Sequence, residues 1–476
     1  MLPPMMPKSC SSVYQRFFLG QLVYFTMPKS LARLFSRHSS SVPRATAHEI
    51  KTPIDEELIA GDRLKYFHPT KPGDVLDGRF RIIAKLGFGG GSTVWLAENL
   101  KSRAWIGPSG LRYVSIKIPA LDTDAHGEIA RLKLIRDADP SHEGRSYIRL
   151  LEDQFDLCGP EGTHRCLVYE PMRETLAHYQ FKMPRERLAL PILKLHVYVL
   201  LQALDYLHTR CHLIHTDIKD ENIMMTIESD KVLHNFVKDQ ERQPQPRHVR
   251  SHDGRETYLS HIDLGPVQDS MTIPKLSDFN IAYPGSKNDG PRVWPIQSHR
   301  YRAPEVILGC PWSYSVDIWN LGLLMWDMLE NTSLFGRPAG ESGEYDAHVH
   351  LAQMVSLLGS PPPKLIMRER VFRQVEVNRE IYNSRGQGFR NMNKFWGGPF
   401  FDKNDQIRRT DLVKEGRRLR ETITELTGDE KQLFLDFAQN MLQWLPEDRK
   451  TARELLGHPF FDSVYEDRDR ILAENA

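Results

Sequence analysis

Within eight residues of this chain, three polar side chains have the types needed to transfer a phosphoryl group. They lie in the segment 215–222, which reads His-Thr-Asp-Ile-Lys-Asp-Glu-Asn. The carboxylate of Asp217 could orient an attacking hydroxyl and accept its proton, and Lys219 could neutralise the transferring phosphoryl group. The amide oxygen of Asn222 could bind Mg²⁺, as could the carboxylate of Asp278 further along the chain. This spacing indicates phosphoryl transfer from a nucleotide that binds with Mg²⁺.

A glycine cluster and two charged residues nearer the N-terminus have the types needed to hold phosphates. The cluster occupies residues 86–94, where glycines let the backbone approach a phosphate and offer N–H groups to it. Lys117 could hold the α- and β-phosphates, and Glu128 could fix its position. Taken alone, such a cluster is more often only a turn, and Lys117 could simply reach water. No Gly-Lys-Ser/Thr follows and no helix comes next, which excludes a P-loop and a Rossmann turn.

The elements that must position these residues can be predicted from hydrophobic periodicity. Alternating apolar and β-branched residues predict strands over 79–85, 93–97, 113–118 and 166–169. Apolar residues at helical spacing predict helices over 127–137, 193–207, 317–329, 348–358 and 429–444. The fold class is therefore α+β, with a small, mainly β first lobe carrying one key helix and a larger, mainly α second lobe.

The length of 476 residues is too great for one hydrophobic core. We expect a basic, disordered N-terminal tail over 1–65, the first lobe with its lead-in over 66–172, the second lobe over 173–462, and a C-terminal tail over 463–476. The stretch of about 226–274 is polar and rich in His and charge, and we interpret it as a loop inserted in the second lobe.

The composition excludes several classes of protein. The net charge of +1 indicates no general attraction to nucleic acid or membrane, and no apolar run approaches the ~18 residues needed to span a bilayer. We therefore expect no nucleic-acid or membrane partner. The five cysteines form no CxxC pair, which argues against a disulfide framework or zinc site and for a reducing compartment.

The N-terminal segment has an unusual composition. Before Glu49 there are six Lys or Arg residues and no acidic residue. Such an Arg- and Ser-rich, acid-poor segment is typical of a mitochondrial transit peptide. The alternatives are a disordered basic tail and an upstream start, with Met27 as the working one. We favour these alternatives and expect the protein in cytoplasm and nucleus, with a mitochondrial address as the other possibility.

The motifs together resemble, in order and spacing, the signature of the eukaryotic protein kinases. The resemblance also includes Tyr301-Arg-Ala-Pro-Glu305 and Asp317-x-Trp-x-x-Gly322, and it covers about residues 79–462. It implies a two-lobed kinase fold, ATP and Mg²⁺ as cofactors, and transfer of the γ-phosphate to Ser or Thr of protein substrates. We expect a monomer.

The resemblance also implies a role for individual residues. Asp217 would be the catalytic base, Lys219 the phosphate lysine, Lys117 and Glu128 the family's ion pair, and Asn222 and Asp278 the metal ligands. The ATP-binding residues would be Leu86, Gly87, Phe88, Gly89, Gly90, Gly91, Ser92, Val94, Lys117, Glu170, Met172 and Met224, of which Glu170 and Met172 belong to the adenine-reading hinge 169–172. Structural roles would fall to Asp317 and to a buried pair of Arg449 with Glu305.

A finer resemblance is to the SR-protein kinases (SRPK) of the CMGC group, which phosphorylate serines in Arg-Ser repeats of splicing factors. Its motifs are Phe67-His-Pro69, Gly73-Asp74, Ser92-Thr-Val-Trp95, His215-Thr-Asp217, Ile296-Gln-Ser298 and Arg302 before Ala303. It implies Arg/Ser-rich partners in mRNA processing, with Ser298 and Arg302 in the substrate loop and Ser298 bridging Asp217 and Lys219. A kinase of this group with another substrate, and an inactive scaffold, remain alternatives.

Three departures have physical consequences. Thr216 stands where many kinases have an Arg that binds an activation-loop phosphate, and Ser286 is the one free acceptor in that loop, so we predict constitutive activity. Asn280 replaces the glycine of Asp-Phe-Gly, and Asn tolerates left-handed backbone. The helix matching His350–Gly359, where SR-protein kinases bind arginines, has no acid. The preceding acids Glu341, Glu344 and Asp346 could substitute.

Overall fold

The computed structural model describes residues 48–101, 111–267, 272–285, 290–341 and 343–466. The transit-like segment, Ser286 and the end of the predicted C-terminal tail lie outside these residues. The chain divides into two compact units. The first unit contains the described residues up to Lys133, together with Leu150–Glu174 and Ile227–Thr272, and the second contains Leu134–Arg149, Thr175–Thr226 and the residues from Ile273 onward.

The regular elements are numbered in chain order. The strands are β1 Glu49–Ile50, β2 Val75–Leu76, β3 Phe80–Gly89, β4 Ser92–Asn99, β5 Tyr113–Pro119, β6 Asp153–Gly159, β7 Gly162–Tyr169, β8 Leu213–Ile214, β9 Ile223–Met225, β10 Arg247–Val249, β11 Glu256–Tyr258, β12 Pro274–Leu276, β13 Tyr283–Pro284, β14 Ile381–Tyr382 and β15 Gly388–Phe389. The α-helices are α1 Glu56–Ala60, α2 Ala125–Asp137, α3 Leu176–Phe181, α4 Leu190–Tyr206, α5 Asp230–Arg242, α6 Pro304–Ile307, α7 Ser315–Glu330, α8 Ala347–Leu358, α9 Pro363–Phe372, α10 Met392–Phe395, α11 Gly428–Gln439 and α12 Ala452–Leu456.

The first unit is built on a six-stranded sheet with the order β2-β3-β4-β5-β7-β6. Its neighbours pair antiparallel, because short turns connect most of them. Alternate residues of these strands, such as Phe80, Ile82 and Trp95, are buried in one hydrophobic cluster. The four predicted strands are confirmed, although the first begins one residue later than predicted and each of the four is longer overall.

The described residues 227–267 of the insert contain a helix and two strands, which corrects the interpretation of this stretch as a loop of the second lobe. Ile227–Thr272 belongs to the first unit. Val232 and Phe236, four residues apart on α5, are buried, and Phe236 packs with Ala84 and Leu96 of the large sheet. The stretch looked loop-like because a single narrow apolar stripe is diluted by charged residues on the exposed face of the helix.

The segment before the large sheet is also ordered, so the predicted tail ends earlier than residue 65. From His48 onward the chain forms β1, α1 and a short 3-10 helix over Gly61–Tyr66. β1 pairs parallel with β10, which pairs antiparallel with β11. The lead-in segment and the insert are therefore joined in one small three-stranded sheet.

The second unit is mainly helical, as predicted. α4 and α7 form its centre, and almost every residue of α7 from Val316 to Glu330 is buried. The helix predicted over 429–444 ends at Gln439. Among the described residues, the helix that continues α4, Leu190–Cys211, is long and apolar enough to cross a membrane, which corrects our expectation about apolar runs. Most of it is buried inside the protein, as in the core helix of a packed bundle.

Candidate active site

The polar residues of the catalytic segment converge on Asp217 in the second unit. Lys219 Nζ lies 3.0 Å from Asp217 Oδ2, and the Asn222 side-chain nitrogen donates to the same oxygen at 3.0 Å and to the Asp217 carbonyl at 2.8 Å. The segment can fold this tightly because Thr216 adopts a left-handed φ of 69°. The Asp217 carboxylate is thus held in one orientation, as a proton acceptor requires.

Ser298 reaches the same carboxylate from a distant part of the sequence. Its hydroxyl donates to Asp217 Oδ1 at 2.7 Å, and its backbone N–H donates to that oxygen at 3.2 Å. Lys219 Nζ in turn donates to Ser298 Oγ at 3.2 Å. The predicted bridge of Ser298 between Asp217 and Lys219 is therefore present.

Asp317, on α7, anchors the start of the catalytic segment. It is fully buried, and its carboxylate accepts the backbone N–H groups of His215 and Thr216 at 2.8 and 2.9 Å. It also contacts His208 Nε2 at 2.9 Å. A buried carboxylate needs such donors to offset its lost hydration, so Asp317 is placed to fix the backbone just before Asp217, consistent with its predicted structural role.

The pairing of β9 with β12 brings the two predicted metal ligands, Asn222 and Asp278, close together. β9 and β12 pair antiparallel with Ile223 opposite Leu276. The Asn222 carbonyl accepts the backbone N–H of Ser277 at 2.9 Å and its hydroxyl at 2.8 Å. Because the amide nitrogen of Asn222 donates to Asp217, the amide oxygen is the atom that would bind a cation. Amide and carboxylate oxygens from Asn222 and Asp278 suit a hard divalent cation that obtains its remaining ligands from phosphates.

The glycine cluster forms a tight hairpin in the first unit. Gly89 pairs with Ser92, so Gly90 and Gly91 make the turn. A Cβ added at Gly87, Gly89 or Gly90 would meet no atom within 4 Å, whereas one at Gly91 would lie 2.6 Å from the Thr123 methyl. Three glycines therefore present bare backbone to open space, which suits a phosphate-binding hairpin, and Gly91 allows close packing.

The predicted ion pair of the first unit is present. Lys117 Nζ contacts Glu128 Oε1 at 2.7 Å, with Glu128 largely buried on α2. Lys117 lies opposite Val94 of the glycine hairpin. The ammonium group of Lys117 is oriented for phosphate binding because it lies next to the hairpin and contacts a fixed carboxylate. Of the predicted ATP residues, Glu170 and Met172 belong to the same unit, and Met224 belongs to the second.

Arg302, predicted to belong to the substrate loop, has its side chain inside the protein beneath that loop. Its side chain is completely buried, with its guanidinium carbon 4.1 Å from the ring centre of Trp396 and 4.6 Å from that of Tyr345. It donates to the carbonyls of Ile296 and Gln297 at 3.2 and 2.7 Å. These contacts shape the loop around Ser298 from the inside, and burial keeps the side chain itself from reaching a substrate.

The predicted buried pair of Arg449 and Glu305 is confirmed. Both side chains are fully buried, and two guanidinium nitrogens each donate to one carboxylate oxygen at 2.7 Å. Arg449 Nε also donates to the Gln443 carbonyl at 2.9 Å, and Nη1 donates to the Ser315 carbonyl at 3.1 Å. A bidentate pair with further donors bonded to carbonyl groups is the favourable geometry for a buried charge.

Two of the departures from the kinase pattern have clear structural outcomes. Asn280 has no positive φ, and the left-handed residue of that turn is Asp278, with φ 63°. Asn280 therefore needs no tolerance of left-handed backbone. Thr216 donates its hydroxyl to the Ile281 carbonyl at 3.1 Å, so a neutral hydrogen bond tethers the chain after Asp278.

The acids proposed as substitutes on the docking surface are partly engaged. Asp346 caps α8 by accepting the backbone N–H groups of His348 and Val349 at 2.8 and 3.4 Å. Glu344 forms an exposed ion pair with Arg385, which a ligand could replace at small energetic cost. α8 itself contains no acid.

Sequence reasoning overlooked a carboxylate pair beside the catalytic residues. One oxygen of each, Asp220 Oδ1 and Glu221 Oε2, is buried without a hydrogen-bond partner among the described residues. Burial, together with the neighbouring Asp220 carboxylate, raises the pKa of Glu221 to about 8. The signal in the sequence was two consecutive acids, Asp220 and Glu221, directly after Lys219.

Sequence reasoning also overlooked two buried cations in the first unit, Lys85 and Arg173. Lys85 follows the buried Ala84 on β3 at a shift in strand register. Because of that irregularity, Ala84 and Lys85 both point into the protein. The regular alternation of inward and outward side chains along a strand would have placed Lys85 on the outside.

Comparison with known proteins places these features in context. The family model described as the protein kinase domain matches residues 80–461. A serine/threonine protein kinase of Aspergillus fumigatus is 34% identical over 410 residues, which cover 86% of this chain and 90% of the relative. A serine/threonine-protein kinase named SRPK from Physarum polycephalum is 30% identical over 422 residues, covering 84% and 89%. A crystal structure of a kinase domain has a TM-score of 0.55 at 22% identity and covers 83% of this chain and 99% of that domain.

Proposed function

This chain belongs to the protein kinase family as an SRPK-like serine/threonine kinase, and we propose that it phosphorylates serines of Arg/Ser-rich, mRNA-processing proteins with Mg·ATP. The observation that carries the substrate class is the carboxylate pair of Asp220 and Glu221 beside Asp217. Each has a buried oxygen without a hydrogen-bond partner in the part of the chain that the structure describes. An arginine side chain, with several fixed N–H donors, satisfies such oxygens better than any other residue.

The chemistry follows from the contacts of Asp217. When Mg·ATP is bound, the nucleotide supplies the phosphoryl group and the cation neutralises part of its charge. Asp217, held by Asn222, Ser298 and Lys219, orients the substrate hydroxyl and accepts its proton. Lys219, which contacts Asp217 and Ser298 at once, supplies positive charge at the edge of the reacting group.

Magnesium is the cation we propose, since Asn222 and Asp278 supply only oxygen ligands. The kinase family implies ATP and a divalent cation in general. Activity should therefore depend on Mg²⁺ and be abolished by EDTA, and both Asn222→Ala and Asp278→Ala should lower it severely. Retention of full activity in Asp278→Ala would exclude this assignment.

Substrate recognition should depend less on the docking helix than it does in the SR-protein kinases that the chain resembles. α8 has no acid, and Asp346 is committed to capping it. Asp220 and Glu221 next to the catalytic residues would then favour arginines close to the phosphorylated serine, with the exposed Glu344 as a further contact.

The decisive experiment measures ³²P transfer from Mg·ATP to three substrates: an Arg-Ser repeat peptide, the matched Lys-Ser repeat and a generic basic protein. We expect strong labelling of the Arg-Ser repeat, weak labelling of the Lys-Ser repeat, and none with Asp217→Ala. Glu221→Gln should reduce the preference for Arg over Lys while leaving ATP binding intact. Equal labelling of both repeats would refute the substrate class and keep the kinase, and no labelling with intact ATP binding would favour an inactive scaffold.

We propose a location in cytoplasm and nucleus, where Arg/Ser-rich proteins of mRNA processing are found. The support is the same resemblance that suggests the substrate. Imaging a C-terminally tagged chain beside one that starts at Met27 tests this proposal. The same nuclear and cytoplasmic signal from both is expected, and a mitochondrial signal from the longer chain alone would favour the transit peptide instead.

A further inference from the structure

The insert and the lead-in segment form one body that packs against β3 in the first unit. β1 of the lead-in pairs with β10 of the insert, and His248 of the insert contacts Glu57 of the lead-in at 2.8 Å. We name the described residues 48–67 and 227–267 the clamp. All of the clamp lies in the first unit, together with the glycine hairpin and residues 169–172.

The clamp holds the glycine-rich strand at Lys85, two residues before Gly87. The Lys85 side chain is fully buried. Its Nζ contacts Asp55 Oδ2 at 2.9 Å, the carboxylate of Glu56, and the Tyr258 carbonyl at 3.0 Å. Two segments of the clamp therefore meet on one ammonium group, at the point where β3 enters the hairpin.

The backbone of Lys85 is bound by the insert as well. Its N–H donates to Gln245 Oε1 at 2.7 Å, and Gln245 Nε2 donates back to its carbonyl at 2.7 Å. The N–H of His261 donates to the same carbonyl at 3.0 Å. The insert thus acts as an additional hydrogen-bonding neighbour of β3 and fixes its path as well as its side chain.

A second buried cation ties the clamp to the chain that follows Met172. Arg173 is fully buried, and its Nη1 lies 2.7 Å from both carboxylate oxygens of Glu228. Its Nη2 donates to the carbonyl of Gly265, and its Nε donates to Glu174 at 3.2 Å. Glu228 and Gly265 come from opposite ends of the insert, so Arg173 closes the insert onto this segment.

Buried ion pairs are costly to form, and removing one partner leaves an uncompensated charge. Such pairs can favour a single arrangement of the segments that carry them, because any other arrangement would leave a buried charge unpaired. The hairpin needs such support because its glycines have no side chains to pack. We propose that Lys85 and Arg173 are positioning residues for ATP, through which the clamp fixes the glycine hairpin and residues 169–172 relative to each other.

The test measures the Kd of a fluorescent ADP analogue, the KM for ATP and the thermal midpoint of the full chain. Lys85→Met should weaken nucleotide binding about tenfold or more, because small displacements of binding groups have large effects, while kcat changes less than the KM for ATP. Lys231→Met removes a lysine from the exposed face of α5 and is the matched control, with unchanged Kd.

The charge-free variant Asp55→Asn, Glu56→Gln, Lys85→Met should recover most of the affinity, because no buried charge is left unpaired. Arg173→Gln provides an independent test should Lys85→Met fail to fold. A lowered thermal midpoint with unchanged Kd in the folded variants would show a purely structural role and overturn the proposal. Nucleotide binding needs no protein substrate, so this result is independent of the proposed Arg/Ser specificity.

Discussion

Removal of the Ser298 hydroxyl should slow phosphoryl transfer without weakening ATP binding. In Ser298→Ala, Asp217 loses the 2.7 Å hydrogen bond from Oγ, and Lys219 loses its 3.2 Å acceptor. A hydrogen bond to a charged group contributes about 1.5–3 kcal/mol, which corresponds to roughly 10- to 150-fold in rate. Because the backbone N–H of residue 298 and the side chain of Asn222 still hold Asp217, we expect the lower end, a loss of about tenfold in kcat.

The assay is steady-state phosphorylation of the Arg-Ser repeat peptide with separate titrations of ATP and peptide. Ser298→Thr retains the hydroxyl and is the matched control, with kcat close to that of the natural chain. Unchanged kcat in Ser298→Ala with a raised KM for the peptide would mean that Ser298 contacts the substrate and does not orient Asp217. Equal loss in Ser298→Thr and Ser298→Ala would also refute the reasoning, because the hydroxyl would then have no special role.

Three further predictions concern stability and regulation. Arg449→Met leaves Glu305 buried and unpaired, so it should lower the free energy of unfolding by about 3–5 kcal/mol, and adding Glu305→Gln should restore part of it in denaturant titrations. Burial, and then the charge of Arg302, lowers the pKa of His299 to about 3 and that of His350 well below its ordinary value. In the unfolded chain both histidines take up protons below about pH 6.5. The free energy of unfolding should therefore fall as the pH drops from 7.5, by about 1.4 kcal/mol per histidine at pH 5.5. Since Thr216 provides no cation for a loop phosphate, phosphatase treatment should leave activity unchanged.

Each of these predictions has a distinct contrary outcome. Equal destabilisation by the single and double changes at Arg449 and Glu305 would mean that shape, not unpaired charge, dominates. A thermal midpoint that is flat between pH 7.5 and 5.5 would mean that other titrating groups compensate for the histidines or that the histidines are protonated in the folded chain. Loss of activity after phosphatase, restored by rephosphorylation, would show that a phosphate orders the loop.

The catalytic half of the site could be predicted because its residues are close in sequence and belong to ordered motifs. Asp217, Lys219 and Asn222 share one segment, and their mutual contacts follow from its local folding. The helix α4 and the strands of the large sheet could also be predicted, because each of them buries one continuous apolar stripe. The end of α11 at Gln439 was not, because the following apolar residues pack in a non-helical turn.

The clamp could not be predicted, because every contact that defines it joins distant parts of the chain. Glu56 lies 29 residues from Lys85, and Gln245 lies 160 residues from it. A buried lysine and an exposed one look the same in sequence until their partners are known. Polarity alone therefore predicts a loop, whereas here the polar residues form the contacts that hold the insert in place.

The described residues around the loop that carries Ser298 are held by contacts between neutral groups, and this bears on how the enzyme is controlled. β13 pairs antiparallel with β8, and the hydroxyl of Thr216 holds the Ile281 carbonyl. Farther along, Gln297, at a left-handed φ of 68°, donates to the Val316 carbonyl at 3.1 Å. These neutral contacts within the second unit replace the Arg–phosphate pairs that order such loops in many kinases.

Backbone and amide contacts of this kind do not respond to kinases or phosphatases, and the buried pairs of Lys85 and Arg173 in the first unit do not either. We therefore expect the catalytic segment and the segments predicted to bind nucleotide to keep their positions without phosphorylation. Control should then act on the encounter between enzyme and substrate, through location or abundance. The variant Thr216→Arg, which introduces the arginine found in many kinases, tests this argument. It should lower activity, because it removes the hydrogen bond to the Ile281 carbonyl and adds a cation that has no phosphate to bind.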